Sequence, residues 1–387
     1  MKLLFIIPGL DHGGTNRVLK NMLAIMDQSQ MDIEIMTFCD KGFYHKDFER
    51  FLQPSVQPMT DAIGTFAGWR KQEPTAMFMR RLVWKIIYIT LLGRSNDKLY
   101  EMIGKRMREM KYDAVIAFQE SMPTALARHI PADKHIAWVH CDYSNYVNRK
   151  KYIESEEPIY AQYDKIVCVS RYTAQVFKEF YPNLKDKVLH IYNMIDDKGI
   201  IASSKERISD DRFVREGITF VSVGRFAKEK RFALLPGMAA EMKKHGVPFR
   251  WYLIGDHGTE KPVILKRMKE YGVEDSLILL GEKENPYPYI AQSDILVCPS
   301  YTEACPNVVN EAKILHVPVV AADFPSAYEF ITHGENGFIV PVEEMADLLI
   351  DLYEKKERLK KVKDGISDFV YDNHQIEKQI HELIMGD

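Results

Sequence analysis

Three stretches of this chain combine residue types suited to holding a diphosphate and a polyhydroxylated ring. The first is Gly9-Leu10-Asp11-His12-Gly13-Gly14-Thr15-Asn16-Arg17, where an apolar run ends, glycines turn the chain and a helix begins. Unpaired N–H groups at such a helix start carry partial positive charge and suit an anion. Without a Cβ, glycine also lets a ligand approach the backbone closely. The G-x-G-x-x-G spacing of dinucleotide binders is absent, and a plain strand-to-helix turn reads equally well from these residues alone. The second stretch, Val223-Gly224-Arg225-Phe226-Ala227-Lys228-Glu229-Lys230-Arg231, places Arg225 and Lys230 on a loop after an apolar run. Two fixed cations there can neutralise the charge that develops on a departing diphosphate without a divalent metal. The third runs from Cys298 to Ala312 and holds Glu303 and Glu311, eight apart. Three other glutamate pairs share that spacing, 101/109, 274/282 and 335/343, so context must choose. Glu303 follows an apolar run, and Pro306 suits the first turn of a helix over Val308–Leu315. Amides from Ala304 to Val308 would then face a phosphate, with one carboxylate accepting from a sugar and the other from a ribose.

These groups need elements to hold them, and the chain alternates short apolar runs with amphipathic stretches, the pattern of parallel α/β layers. In the first half the runs Lys2–Ile7, Asp32–Phe38, Ala114–Phe118, His135–Val139, Lys165–Val169 and Val188–Ile191 predict strands. Asn16–Met26 and Arg171–Phe180 predict helices. A polar stretch from Asp196 to Asp211 marks a linker near residues 194–212. The alternation then restarts with strands at Ile218–Val223, Phe249–Ile254, Leu277–Leu280, Ile295–Pro299 and Val317–Ala321. Helices are expected at Arg231–His245, Lys261–Tyr271 and Val308–Leu315, with further helices from near Glu343. The ligand end of such sheets is the carboxyl end of the strands, where all three stretches fall.

At 387 residues, with 46% hydrophobic and 28% charged residues, two domains are the natural expectation. A net charge of −3 argues against a general nucleic-acid binder. The cysteines are Cys39, Cys141, Cys168, Cys298 and Cys305; an odd count without a CxxC makes poor material for a disulfide framework or a zinc site. No apolar stretch reaches the roughly 20 residues of a membrane span, and Met1–Ile7 reads as a first strand rather than a signal peptide. A cytoplasmic protein is expected, with membrane association on the cytoplasmic face left open by one segment. Residues 66–111 carry eleven Lys and Arg against four Asp and Glu, interleaved with Trp69, Phe78, Trp84 and Tyr88. Such a segment reads either as a core helix with a solvated basic edge or as a surface for anionic lipid.

Taken together, the Gly13-Gly14 loop, Asn193-x-x-Asp196, Gly224-Arg225 with Glu229-Lys230, Glu303-x7-Glu311 and Gly334-Glu335-Asn336-Gly337 resemble the family 4 retaining glycosyltransferases. So does Asn307-Val308-Val309-Asn310-Glu311-Ala312 followed by Val317-Pro318-Val319-Val320. The resemblance implies an α/β GT-B fold, two Rossmann-like domains facing across a cleft: an acceptor domain over 1–195, a nucleotide-sugar domain over 196–365, and a terminal helix over 366–387 packing back on the first. It implies diphosphate contacts from Arg225 and Lys230, ribose contacts from Glu311, and sugar contacts from Glu303. Gly13 and Gly14 would approach the distal phosphate, and His140, in Trp138-Val139-His140-Cys141-Asp142, would face the donor sugar. Cys305, Asn307 and Val308 would line the phosphates, and the base would lie near Gly281–Tyr289. Metal-independent transfer with retention is implied, with no cofactor beyond the nucleotide-sugar co-substrate, a UDP-sugar before GDP-mannose, and a glycan or lipid-linked acceptor. Ala304-Cys305 departs from the glycine and bulkier residue common after the first glutamate. An epimerase or phosphorylase on the same scaffold, or a non-catalytic sugar- or membrane-binding subunit, stand as alternatives.

Overall fold

The computed structural model describes all residues except 12, 40–41, 54–74, 146–148, 257 and 387. His12 of the first glycine loop and residues 66–74 of the basic segment therefore lie outside the described residues. The chain divides into two compact units, Met1–Met194 with His374–Asp387, and Ile195–Asn373.

The first unit is built on β1 (Lys2–Ile7), β2 (Asp32–Thr37), β3 (Tyr112–Ala117), β4 (Ala132–Val139), β5 (Lys165–Cys168) and β6 (Val188–His190). All pair in parallel in the order β2-β1-β3-β4-β5-β6. Leu3 to Ile7 are all buried, because a parallel strand covered by helices on both faces must be apolar throughout rather than alternately. Ser170 and Thr173 close a capping box at the start of the helix Arg171–Phe180, satisfying two otherwise orphaned amides. Lys134 donates to the carbonyls of Leu383 and Ile384 and so ties the final turn of the helix Asn373–Met385 to β4.

The second unit carries β7 (Ile218–Val223), β8 (Phe249–Ile254), β9 (Leu277–Gly281), β10 (Ile295–Cys298), β11 (Val319–Ala322) and β12 (Phe338–Val340), again all parallel, in the order β12-β11-β10-β7-β8-β9. Counted within the unit this is the doubly wound order 3-2-1-4-5-6, whose direction reverses between β7 and β10. In the first sheet the reversal lies between β1 and β3. Each unit has its own apolar core, the second one centred on Phe220, Trp251, Leu253 and Ile295.

Three expectations need correction. The polar stretch expected as linker begins with a helix, Asp197–Ser203, because the Asp196 carboxylate accepts from the Gly199 amide at 2.9 Å and caps it. The helix expected from Arg231 starts at Leu235, after two short 3₁₀ turns, Lys228–Lys230 and Phe232–Leu234, with Arg231 left-handed between them. Pro236 marks that true start, since a residue without an N–H fits the first helical turn. The strand expected over Val317–Ala321 begins two residues later. There the Val317 amide instead closes the preceding helix on Ala312, and Pro318 has no amide to give. β12, three residues long, was too short to stand out as an apolar run.

Candidate functional site

In the second unit the two strands flanking the reversal carry the second and third of the three sequence stretches. β7 leads into Gly224 and Arg225, and β10 leads into Pro299, Ser300 and Glu303. Neighbouring loops are stitched together by main-chain bonds: Gly224 donates to Ile254, Gly255 to Gly281, and Phe226 to Asp256. Gly255 is required there, because a Cβ would run into the Gly224 carbonyl.

The Lys228–Lys230 turn brings the Lys230 Nζ to 2.5 Å from Glu303 Oε1, with the two side chains only 19% and 13% exposed. Burial alone would lower the lysine pKa, but the Glu303 carboxylate outweighs it and holds the ammonium above its ordinary value. The same oxygen accepts from the Ser300 hydroxyl at 2.7 Å, and the main-chain carbonyl of Glu303 accepts from Ser326 at 2.6 Å. Neither serine was singled out by spacing. Ser326 lies 23 residues away in sequence, and no local signal points to it.

Arg225 behaves differently. Its side chain is 63% exposed and pairs with Glu229 at 3.0 Å, not with Glu303 or Glu311. Glu311, on the helix Asn307–Ile314, is buried, with the Tyr287 hydroxyl 3.5 Å from its Oε1. Tyr287 follows β9 in the stretch where the base was expected. Cys305 is buried, Asn307 and Val308 are half-buried, and the Asn307 amide donates to the Cys305 carbonyl. Lys313, two residues past Glu311, is also buried. It donates to the Phe330 carbonyl at 2.6 Å beneath the Phe369 ring, and burial pushes its pKa down to about 8. It anchors the helix that carries Glu311.

The first unit carries a set of its own. Gly13 and Gly14 are exposed at the start of the helix Gly14–Ile25, and a Cβ at either would meet no atom of the described residues within 4 Å. Packing among the described residues therefore does not explain these glycines. His140 follows β4 directly. Its ring lies against Phe118 with centroids 4.9 Å apart, and its Nε2 is buried without a hydrogen-bond partner among the described residues. Burial pushes its pKa down to about 3, so the imidazole is neutral. The Glu120 carboxylate, at the end of β3, accepts from the amides of His140 and Cys141 and pins this corner. Among the described residues no group of three His, Cys, Asp or Glu side chains is arranged to hold a metal ion.

The model of family 4 glycosyltransferases matches residues 12–198, and that of group 1 glycosyl transferases matches residues 217–355. A Campylobacter jejuni N-acetylgalactosaminyltransferase acting on a diphospho-undecaprenol-linked glycan is 24% identical over 354 residues, covering 88% of this chain and 86% of that relative. N-acetyl-alpha-D-glucosaminyl L-malate synthase of Bacillus anthracis is 25% identical over 225 residues, 57% of this chain and 58% of that protein. Among solved structures, Anabaena HepE in complex with UDP and glucose superposes with a TM-score of 0.73 at 16% identity, over 100% of both chains. The fold is GT-B, and with both of its sheets matched, the chain belongs to the family 4, group 1 glycosyltransferases.

Proposed function

We propose that this glycosyltransferase moves a hexose or N-acetylhexosamine, with retention, from a nucleoside-diphosphate sugar to a glycan or lipid-linked acceptor of a surface polysaccharide. A UDP-sugar is the first choice of donor. The observation that carries the reading is the Lys230–Glu303 pair, placed at the reversal of a doubly wound sheet with Glu311 eight residues on. In this reading Lys230 neutralises the departing diphosphate in place of a metal ion, with a lesser, solvent-screened share from Arg225, Glu311 holds the ribose, and Glu303 accepts from hydroxyls of the transferred sugar. The bond from C1 to the phosphate oxygen breaks with its electron pair going to phosphate. The acceptor oxygen bonds C1 on the same face, and its proton passes to that phosphate oxygen. His140, neutral and with Nε2 unpartnered, offers a hydrogen bond rather than a charge. The activity named for the Campylobacter relative supports a lipid-linked acceptor, and the UDP and glucose bound to HepE support the donor class. The test is hydrolysis or transfer with a panel of UDP-glucose, UDP-galactose, UDP-N-acetylglucosamine, UDP-N-acetylgalactosamine and GDP-mannose. At least one should be consumed, and Glu303→Ala should lower its turnover by about 10²–10³-fold. Full turnover in that variant would remove the assignment.

A membrane-facing role for part of the basic segment has its own observation. Among the described residues no helix is long and apolar enough to cross a membrane. Yet the helix Thr75–Thr90 leaves Met79, Val83, Ile86 and Ile89 exposed at helical spacing, while Tyr88 is buried in the core and Trp84 packs against it. An exposed apolar stripe in a segment with seven excess positive charges matches an anionic lipid face. Flotation with phosphatidylglycerol vesicles should show binding that weakens as salt rises and that Val83→Glu with Ile86→Glu abolishes; no binding at low salt would refute it.

A further inference from the structure

Glu303 is held by two side chains at its carboxylate and by a third at its main chain. Both of its described partners, Lys230 and Ser300, fall on Oε1, so that Oε2 has no partner among the described residues. The main chain at Glu303 is fixed separately by Ser326. Ser300 is itself buried, at 1% exposure, and it sits in a directed chain. The Cys298 thiol lies 3.5 Å from Ser300 Oγ, and burial pushes its pKa up to about 11, so it stays protonated and can donate to that oxygen. The serine hydroxyl hydrogen is then left for Glu303.

The geometry points to Ser300 as a positioning residue for transfer, holding Glu303 Oε1 so that Oε2 is available to the sugar when Lys230 engages the donor diphosphate. This rests on the proposed function, in which Lys230 serves the diphosphate and Glu303 the sugar. Lys230 has two anions to serve once a donor is present, whereas Ser300 has only one. The hydroxyl is therefore the partner whose grip on the carboxylate does not change as the donor arrives. An approximately isosteric loss of that grip misplaces the carboxylate without removing its charge, a kind of error that costs about tenfold to hundredfold in rate.

Three variants, Ser300→Ala, Ser300→Thr and Glu303→Ala, are compared for UDP affinity by calorimetry, for turnover of the panel sugar consumed fastest, and for melting temperature. Ser300→Ala should bind UDP as the native protein does, melt within a few degrees of it, and turn over about tenfold to hundredfold more slowly. Ser300→Thr, which keeps the hydroxyl, should recover most of the loss. Unchanged turnover in Ser300→Ala beside an inactive Glu303→Ala would overturn this inference alone. So would equal losses of turnover and melting temperature in the Ala and Thr variants, since packing would then be the cause. Full activity in Glu303→Ala would overturn the proposed function as well.

Discussion

The two units carry different kinds of site. In the second, the charged groups are already matched to one another: Lys230 and Ser300 on one carboxylate oxygen, Ser326 on the main chain, and Tyr287 near Glu311. In the first, the notable groups lack partners among the described residues: open space beside Gly13 and Gly14, and a buried imidazole nitrogen with no hydrogen bond. Buried polar groups are normally satisfied. A satisfied network describes a preorganised site that keeps its geometry before a ligand binds. An unsatisfied imidazole nitrogen and a pair of open glycines are what the proposed donor contacts of the first unit would require. The same contrast recurs on a smaller scale between Lys230, buried and paired with Glu303, and Arg225, exposed and paired with its neighbour Glu229.

The sharpest way to break this contrast is to remove its buried half. Lys230→Ala leaves Glu303 without its cation and should cost about 10²–10³ in turnover, as Glu303→Ala does. Near-equal losses in the single and double variants would show that the two act as one unit. An intermediate effect concerns His140. Its pKa in the folded chain is about 3, against 6.5 for a free histidine. Between those values the unfolded chain binds a proton that the folded chain refuses, so this group's contribution to stability is lost as pH falls below 6.5. Melting curves from pH 7 to 4.5 should therefore fall less steeply for His140→Gln than for the native protein. The pH–rate profile should show no imidazole limb near 6.5. The smallest effect should be that of Arg225→Ala. A well-solvated cation contributes at most about 1 kcal/mol, so donor KM should rise no more than about fivefold, and the effect should shrink with added salt.

Much of this was legible in the chain because parallel strands are buried on both faces and so read as unbroken apolar runs. Lys2–Ile7, Ile218–Val223 and Phe249–Ile254 match their strands residue for residue. What escaped was set by tertiary structure. Nothing local distinguishes Arg225 from Lys230; only the turn at Lys228–Lys230 directs one to Glu303 and leaves the other in solvent. Ser300 and Ser326 look like ordinary loop serines, and their value comes from where Glu303 lands. Glu120 escaped for the same reason, since its partners are amides on the neighbouring strand end, 20 residues away. The left-handed Arg231 interrupts a stretch whose composition reads as continuous helix.

The most direct test of the account is a calorimetric titration of UDP in the presence of EDTA, with native protein and with Lys230→Ala. The native protein should bind in chelator, and the variant, while still folded, should bind about 10²-fold or more weakly. Equal affinity in the two proteins, or native binding that disappears with the chelator, would contradict the claim that a buried lysine takes the place of a metal ion at the diphosphate.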